Sequence, residues 1–257
     1  MNLTALLDVA LEAAGEAGRI TLSHFQTGGL AVETKSDRSP VTIADRQAEE
    51  RIVSIVRRHF PAHSILGEES GETVGSEPIQ WIIDPIDGTK SFISGVPLYG
   101  VMIGVLVEGE PVVGVVHFPA LGDTHWAAQG LGAYWNGRRS RVSEIATLEE
   151  ARVLSTDSRR LANDPQKSAA FTELERRAKF VRTWGDCYGH MLVATGRAEI
   201  MLDPKMNIWD CAALLPIVVE SGGHFTDWRG EPRIDGGDAI SVNAALHAAV
   251  TRIFTGR

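Results

Sequence analysis

The amino-acid sequence predicts a layered α/β fold, on three observations. The first 60 residues contain two segments with helical spacing of apolar residues, residues 64–140 hold β-rich runs separated by tight-turn signals, and residues beyond about 150 alternate between strand and helix patterns. Such alternation is typical of helices layered on sheets. Because no repeat or long polar linker interrupts the chain, we expect one domain over 1–257 with two subdomains, about 1–147 and 148–257.

The first half should consist of two helices followed by a largely antiparallel sheet. Apolar residues recur at positions 3, 6, 7 and 10 and again at 48, 52, 55 and 56, and Pro61 ends the second helix. "SILGEES" predicts a short strand that runs into an acidic loop, and "IQWIID" predicts a buried strand. Two β-rich runs around "EGEP" indicate a hairpin, and "NG" at 136–137 marks a tight turn.

The second half should alternate between strands and helices. "ARVLSTD", "KFVRTWG" and "AEIMLD" predict strands, whereas the segment after Pro165, "DCYGHMLVATG" and "WDCAALLPIVVESGG" predict helices. The last of these helices should end at Gly222 and Gly223. It should also bend at Pro216, which has no backbone N–H to donate.

Composition argues against several classes of protein. The chain carries 33 acidic and 25 basic residues, a formal net charge of −8, which disfavours a nucleic-acid partner. No apolar run approaches the roughly 18 residues of a membrane span, and the N-terminus lacks the positively charged start of a signal peptide. Since Cys187 and Cys211 imply no disulfide framework, we expect a cytoplasmic protein without a membrane partner.

Six acidic residues are candidates for one site: Asp45, Glu68, Glu69, Asp84, Asp87 and Asp210. Two carboxylates about 4 Å apart repel by about 4 kcal/mol at an effective dielectric near 20. A cluster of them persists through protonation, basic partners or bound cations. Ligand sets made of oxygen alone favour magnesium, manganese or calcium over zinc.

The stretch "WIIDPIDGTKSF", residues 81–92, indicates what such a site could do. Asp84 and Asp87 on a turning backbone could reach one ion, and the carbonyl of Ile86 could add a third oxygen. Gly88 and Thr89 stand where a helix would begin, and free N–H groups at a helix start suit a phosphate. Carboxylates, cations and a phosphate cradle together indicate metal-assisted phosphoryl transfer to water.

Each signal alone also has a simpler interpretation. A "D-x-x-D-G" loop is commonly turn chemistry, "GEES" is commonly a solvated loop, and Asp210 before an apolar run is commonly an N-cap. Asp186 could likewise cap the helix that begins "DCYGH". His190 reads more as a packed histidine than as a catalyst, Trp184 could be a pocket wall or core, and both cysteines should pack as small apolar groups.

The motifs in combination resemble one family. In order, "TKSDRSPVTIAD", "LGEES", "WIIDPIDGTKSF" and "WDCAALLPIVVESGG" are similar to the signature segments of the inositol monophosphatase family of magnesium-dependent phosphatases, over roughly residues 5–250. The resemblance implies an inositol-monophosphatase-like α/β/α/β/α sandwich. It also implies a homodimer and frequent inhibition by lithium.

The resemblance implies a metal site with shared ligands. Glu68, Asp84 and the Ile86 carbonyl would hold one cation, and Asp84, Asp87 and Asp210 a second, with a weaker third cation near Glu68. The cofactor would be Mg²⁺, two or three ions per site, with Mn²⁺ as a substitute.

The remaining assignments implied by the resemblance concern water and phosphate. Thr89, paired with Asp45, would orient the attacking water, with Glu68 as a further catalytic group through its cation. The N–H groups of Gly88 and Thr89 would bind phosphate. Lys35 and Glu69 would lie near the site.

Two departures from the family pattern bear on the substrate. Asp186 in "WGDCYGH" stands where inositol-hydrolysing relatives carry a small residue, and Asp203 where they carry a glutamate that contacts inositol. Together with Asp87 and Asp210, these acids would face the alcohol of the substrate. An extra carboxylate suits a cation, and histidinol phosphate carries an ammonium group. "DGTKSF" with "WGDCYGH" also resembles the histidinol-phosphatase branch.

We therefore expect a phosphomonoesterase that hydrolyses a small-molecule phosphate ester, L-histidinol phosphate, in histidine biosynthesis. The alternatives within the family are an inositol-1-phosphate phosphatase or a broader sugar or nucleotide phosphatase. An alternative of another class is a non-catalytic metal- or partner-binding module. Such a module should have lost some of the site residues, whereas Glu68, Asp84, Asp87, Thr89 and Asp210 are all present.

Overall fold

The computed structural model describes residues 2–35 and 39–256. Its helices are α1 (Leu3–His24), α2 (Ile43–His59), α3 (Thr89–Ile93), α4 (Ser158–Ala162), α5 (Pro165–Arg177), α6 (Asp186–Ala194), α7 (Ile208–Ala212), α8 (Leu214–Glu220) and α9 (His247–Thr255). Its strands are β1 (Val32–Thr34), β2 (Pro40–Thr42), β3 (Ser64–Gly67), β4 (Gly71–Thr73), β5 (Ile79–Asp87), β6 (Gly100–Val107), β7 (Glu110–Phe118), β8 (Asp123–Ala128), β9 (Gly132–Trp135), β10 (Arg138–Arg139), β11 (Arg152–Ser155), β12 (Phe180–Arg182), β13 (Ile200–Asp203), β14 (Gly223–Thr226) and β15 (Ala239–Asn243).

The larger sheet comes from the first half of the chain. Over the described residues its order is β10-β9-β8-β7-β6-β5-β3-β4, antiparallel throughout except for the parallel pair β3 and β5. The apolar faces of α1 and α2 pack on one side of it, where Ala10, Ile52 and Ile83 belong to one buried cluster. The helical spacing in the sequence correctly predicts both helices and the side that each buries.

The smaller sheet comes from the second half and is mixed. Its order is β12-β11-β13-β15-β14, with β11 parallel to β12 and β13, and β15 antiparallel to β13 and β14. Helices α5 and α9 cover its outer face, where Leu174 and Phe254 pack with Ile200 and Val242. The proposed division between subdomains, near residue 147, falls in the segment that joins the two sheets.

A middle layer of helices lies between the sheets. Residues of α6 and α8, among them Met191 and Leu214, pack with Met102 of β6 and Phe225 of β14 in one buried cluster. The layers therefore run helix, sheet, helix, sheet, helix, which confirms the predicted fold class. In the described part of the chain, no helix is both long and apolar enough to cross a bilayer.

The helix expected over "WDCAALLPIVVESGG" differs from the prediction. It is broken at Ala213 into α7 and α8, within the turn that precedes Pro216, so the disruption predicted for this proline takes the form of a break and not of a bend. Pro216 lies in the first turn of α8, where its missing N–H has no intrahelical partner to lose. The break lets the backbone approach β6 closely, since a methyl group at Gly104 would lie 2.6 Å from the Ala212 Cβ.

Candidate active site

Asp84 and Asp87 face the same site because β5 contains a bulge. Side chains alternate along a regular strand, so residues three apart would face opposite sides of the sheet. Asp84 pairs with Met102 and Asp87 with Gly100, so three steps along β5 match two along β6. The extra residue reverses the alternation. Pro85 lies in this irregular stretch, where no backbone N–H is required for pairing with β6.

Asp210 reaches the same place from α7. It is the third residue of that helix and forms a capping box with Asn207, whose backbone N–H donates to Asp210 Oδ2 at 2.6 Å. Asp210 is therefore not the N-cap itself. One carboxylate oxygen each from Asp84, Asp87 and Asp210 lie within 4.8 Å of one another. The structure thus brings together acids that are more than 120 residues apart in the chain.

Glu68 approaches from the loop after β3. Its backbone N–H donates to the Ile83 carbonyl at 3.1 Å, so the loop stays attached to the end of β5. Its carboxylate accepts a hydrogen bond from Lys35 Nζ at 2.8 Å, and Lys35 also donates to Glu69. Burial lowers the pKa of Lys35, but these two carboxylates outweigh it and raise the pKa.

The four acids have an unfavourable electrostatic environment. Burial, followed by the charges of Glu68, Asp87 and Asp210, raises the pKa of Asp84 well above its usual value, and Asp84 is only 2% exposed. Burial also raises the pKa values of Asp87, Asp210 and Glu68. The Cys187 N–H donates to Asp87 Oδ2 at 2.5 Å, which orients this carboxylate without neutralising it.

This donor set fits hard divalent cations. Within residues 2–35 and 39–256, no lysine, arginine or histidine forms an ion pair with Asp84, Asp87 or Asp210. Converging carboxylates without a basic partner gain free energy from a bound cation. Because the ligands are all oxygen, magnesium, manganese or calcium suits them better than zinc.

The segment after Asp87 turns into the short helix α3. Gly88 is its N-cap, and Thr89 is its first residue. The Thr89 hydroxyl donates to the Ile86 carbonyl at 3.1 Å. Asp45 instead forms a capping box at the start of α2, where it accepts from the backbone N–H and the hydroxyl of Thr42 at 2.8 and 2.7 Å. The expected pairing of Thr89 with Asp45 stays a prediction.

A cavity of about 170 Å³ lies beside the acids. Asp87 and Asp210 line it together with Gly88, Asp186 and Asp203. Lys90, Arg160 and Lys205 contribute positive charge to its lining. A larger groove of about 540 Å³ lies next to α8, but its Glu220 already accepts from the N–H groups of Gly130 and Gly132. Of these two cavities, the smaller is the one that residues of the acidic cluster line.

Asp186 and Asp203 are both in this cavity. Asp203, at the end of β13, is 6% exposed, and its Oδ2 accepts from the Thr156 hydroxyl at 2.6 Å. Asp186 is the first residue of α6 and lies against Gly88, where a methyl group would be 3.1 Å from Asp186 Oδ2. The N-cap of α6 is Gly185, so Asp186 does not have the capping role considered above. Burial raises the pKa of both carboxylates.

Comparison with known proteins agrees with this geometry. The model of the inositol monophosphatase family matches residues 2–255. The chain belongs to this family. A histidinol-phosphatase from Chlorobaculum parvum is 48% identical over 245 residues, 95% of this chain and 94% of that protein. A histidinol-phosphatase from Mycobacterium tuberculosis is 39% identical, over 97% and 98% of the two chains.

A solved structure supports the same assignment. The inositol monophosphatase from Anabaena has a TM-score of 0.86 and 31% identity, and the match covers 100% of this chain and 97% of that one. As a member of the inositol monophosphatase family, the protein is a phosphoric monoester hydrolase with a small phosphate ester as its substrate. The family is generally metal-dependent, in agreement with the acidic cluster.

The histidine, the two cysteines and the tryptophan singled out in the sequence can also be placed. His190 is completely buried and bonds to the Ser241 hydroxyl at 2.7 Å, so it is a packed histidine. Cys187 and Cys211 are buried free thiols. Trp184 is 43% exposed, so it is not a core residue. It also does not line the cavity beside the acids, so it is not a wall of that cavity.

Sequence reasoning missed Glu49, which positions the loop that carries Glu68. Glu49 is 2% exposed, and its carboxylate accepts from the N–H groups of Glu69 at 2.9 Å and Ser70 at 2.7 Å. It lies one turn after Asp45 on the buried face of α2. An acid on an apolar helical face is the signal that could have found it, since a buried charge requires partners.

Proposed function

We propose that this protein hydrolyses L-histidinol phosphate to L-histidinol and inorganic phosphate, with Mg²⁺ held by its acidic cluster. The observation that carries the proposal is the pair Asp186 and Asp203 in a cavity that is also lined by Asp87 and Asp210 of the cluster. Relatives named histidinol-phosphatase, at up to 48% identity, support it. The proposed setting is histidine biosynthesis.

The cations would be held by oxygen ligands from both halves of the chain. Glu68, Asp84 and the Ile86 carbonyl would bind one ion, and Asp84, Asp87 and Asp210 a second, with Asp84 shared. A third, weaker ion would lie near Glu68. When bound, such cations lower the pKa of water and neutralise charge that develops on phosphate oxygens.

The chain's own groups would orient the reactants. The N–H groups of Gly88 and Thr89 would bind phosphate oxygens, because backbone donors at a turn into a helix suit an anion. The Thr89 hydroxyl and Asp45 would orient the attacking water. Lys35 and Glu69 would adjust the charge around Glu68, to which Lys35 is already hydrogen-bonded.

The alcohol side of the cavity would select a cationic substrate. A carboxylate whose pKa is raised by burial gains free energy when a positive group comes within hydrogen-bonding distance. The ammonium group of L-histidinol phosphate supplies that charge, and a neutral polyol does not. Asp186 and Asp203 would therefore bind the amine, beside Asp87 and Asp210, which face the ester.

The test is phosphate release with Mg²⁺ from L-histidinol phosphate and from inositol 1-phosphate, by the wild type and by Asp186→Asn. Asparagine keeps the shape of aspartate and tolerates its positive φ, so it removes only the charge. We expect a wild-type preference of about 100-fold in kcat/KM for L-histidinol phosphate. Asp186→Asn should lose about 10- to 100-fold on this ester alone, the usual value of a charge-assisted hydrogen bond.

Two results would contradict the proposal. A wild-type preference for inositol 1-phosphate would favour the alternative, an inositol-1-phosphate phosphatase, for which the Anabaena structure is the supporting likeness. Equal losses on both esters in Asp186→Asn would make Asp186 structural.

Removal of Mg²⁺ by a chelator should abolish activity, and Mn²⁺ should restore part of it. The proposed homodimer is tested separately by sedimentation.

A further inference from the structure

Thr156 lies where two neighbouring strands end. Strands β11 and β13 are parallel, with Ser155 in register with Leu202, and the Thr156 N–H donates to the Leu202 carbonyl at 3.3 Å. This register puts Thr156 directly beside Asp203. The carboxyl ends of parallel strands are where ligand sites form in α/β proteins. Thr156 also lines the cavity that contains the acids.

The Thr156 hydroxyl connects the two acids of the alcohol side. It donates its proton to Asp203 Oδ2 at 2.6 Å and accepts from the backbone N–H of Asp186 at 3.0 Å. A hydroxyl has one proton and two lone pairs, so both bonds can exist at once. One side chain, directly after the end of β11, thus fixes a carboxylate on β13 and the first residue of α6.

Asp186 needs such support because its backbone conformation is unusual. Its φ is +53°, in the left-handed region that L-residues other than glycine rarely adopt. Gly185 lets the two segments meet closely, since a methyl group there would lie 2.6 Å from the Thr156 Cα. The Asp186 carboxylate accepts no hydrogen bond from the residues that the structure describes, so it is available to a ligand.

We propose that Thr156 is a positioning residue for substrate selection, which holds the carboxylates of Asp186 and Asp203 in the arrangement that receives an amine-bearing alcohol. This inference rests on the proposed function. Its action is indirect, because the hydroxyl proton is already donated to Asp203. It should therefore govern how tightly the alcohol portion binds and leave the rate of phosphate release at saturation nearly unchanged.

The test compares Thr156→Val, Thr156→Ser and the control Ser155→Ala, each with L-histidinol phosphate and inositol 1-phosphate. Valine keeps the shape of threonine without the hydroxyl, whereas serine keeps the hydroxyl. Ser155 is the adjacent residue of the same strand, is fully buried, and its hydroxyl has no partner in the described part of the chain. Thermal unfolding of each variant shows whether it is folded.

We expect Thr156→Val to raise KM for L-histidinol phosphate by about 10- to 100-fold, as is usual when a group that orients a ligand-binding residue is lost. Its kcat, and its KM for inositol 1-phosphate, should stay within about 3-fold of wild type, because uniform binding affects KM alone. Thr156→Ser should restore KM, and Ser155→Ala should leave both esters unaffected. Combining Thr156→Val with Asp186→Asn should cost little beyond Asp186→Asn alone, because both act on one interaction.

Four results would overturn the inference alone. Three of them are equal losses on both esters, failure of serine to restore KM, and a fully additive double variant. If Thr156→Val does not fold, Thr156→Ala replaces it in the same comparison. A wild type without preference for L-histidinol phosphate would instead refute the proposed function, and the inference with it. The fourth result, a preference for L-histidinol phosphate in Thr156→Val that is undiminished from wild type, would refute the inference alone.

Discussion

The candidate site has two proposed ends, and both are acidic, but they are built differently. The metal end consists of Glu68, Asp84, Asp87 and Asp210, whose carboxylates converge on one another. The alcohol end consists of Asp186 and Asp203, which are joined through Thr156 by hydrogen bonds. The proposed metal end would thus need cations to offset repulsion, whereas hydrogen bonds within the protein hold the proposed alcohol end in shape.

The difference indicates that the two proposed ends of the site would have different roles. The metal end is anchored on β5 of the larger sheet, with Asp210 added from α7. The alcohol end lies entirely on elements of the smaller sheet and on α6. Changes at the metal end should reduce activity on every ester, and changes at the alcohol end should reduce it on one class. Three predictions test this distinction, in order of expected effect.

The largest effect is expected for Asp84→Asn. Both proposed cations share Asp84, so kcat/KM should fall about 1,000-fold or more on L-histidinol phosphate and on inositol 1-phosphate alike. A loss of this size corresponds to about 4 kcal/mol of transition-state stabilisation. Without metal, the same variant should melt at a higher temperature than wild type, because it removes one of four repelling carboxylates. Steady-state kinetics and thermal unfolding in chelator measure the two effects.

Asp8→Asn is the matched control for this change, since Asp8 is exposed on α1. It should alter neither the kinetics nor the melting temperature. Near-normal rates in Asp84→Asn would refute the shared-ligand arrangement. A loss confined to one ester would remove the distinction between the two ends.

An intermediate effect is expected for Glu49→Ala, which affects only the support of the metal end. Glu49 accepts from the N–H groups of Glu69 and Ser70, and without it the loop that carries Glu68 loses two hydrogen bonds. The Mg²⁺ concentration for half-maximal activity should rise about 10- to 100-fold, equally for both esters. Activity titrated with Mg²⁺ measures this.

The neighbouring Glu50 provides the control, because it lies on the same helix and is exposed. Glu50→Ala should leave the Mg²⁺ dependence unchanged. If Glu49→Ala also leaves it unchanged, the attachment of Glu68 to the Ile83 carbonyl is sufficient to hold the loop.

The sequence predicted those features of the fold and of the candidate site that depend on neighbouring residues in the chain. Apolar spacing located α1 and α2, and the combination of acids and glycine in "DPIDGT" indicated two of the three carboxylates that the structure brings together. It could not show that Asp84 and Asp87 face the same way, because the bulge is defined only by pairing with β6. Likewise it could not show that Ala212 lies against Gly104, more than 100 residues away. Glu49 and Thr156 were missed for the same reason, since their partners are distant in the chain.

The smallest effect is expected for His190→Gln, within the alcohol half. His190 is buried on α6 against Phe225, and burial lowers its pKa to about 3, from the usual 6.5. Between these pH values the unfolded chain binds a proton at this residue and the folded chain does not. The contribution of His190 to the free energy of unfolding is therefore complete above about pH 6.5 and is lost as the pH falls toward 3.

Replacing His190 with glutamine removes this proton uptake. The decrease in the free energy of unfolding from pH 7 to pH 5 should become smaller by about 2 kcal/mol than in wild type. Urea unfolding at the two pH values measures it, and any constant cost of the substitution cancels in the difference. Kinetics on both esters should stay within about 3-fold of wild type, because His190 bonds only to Ser241 among the described residues. A selective loss on L-histidinol phosphate would instead make His190 a part of the alcohol end and would extend that end into the helix behind Asp186.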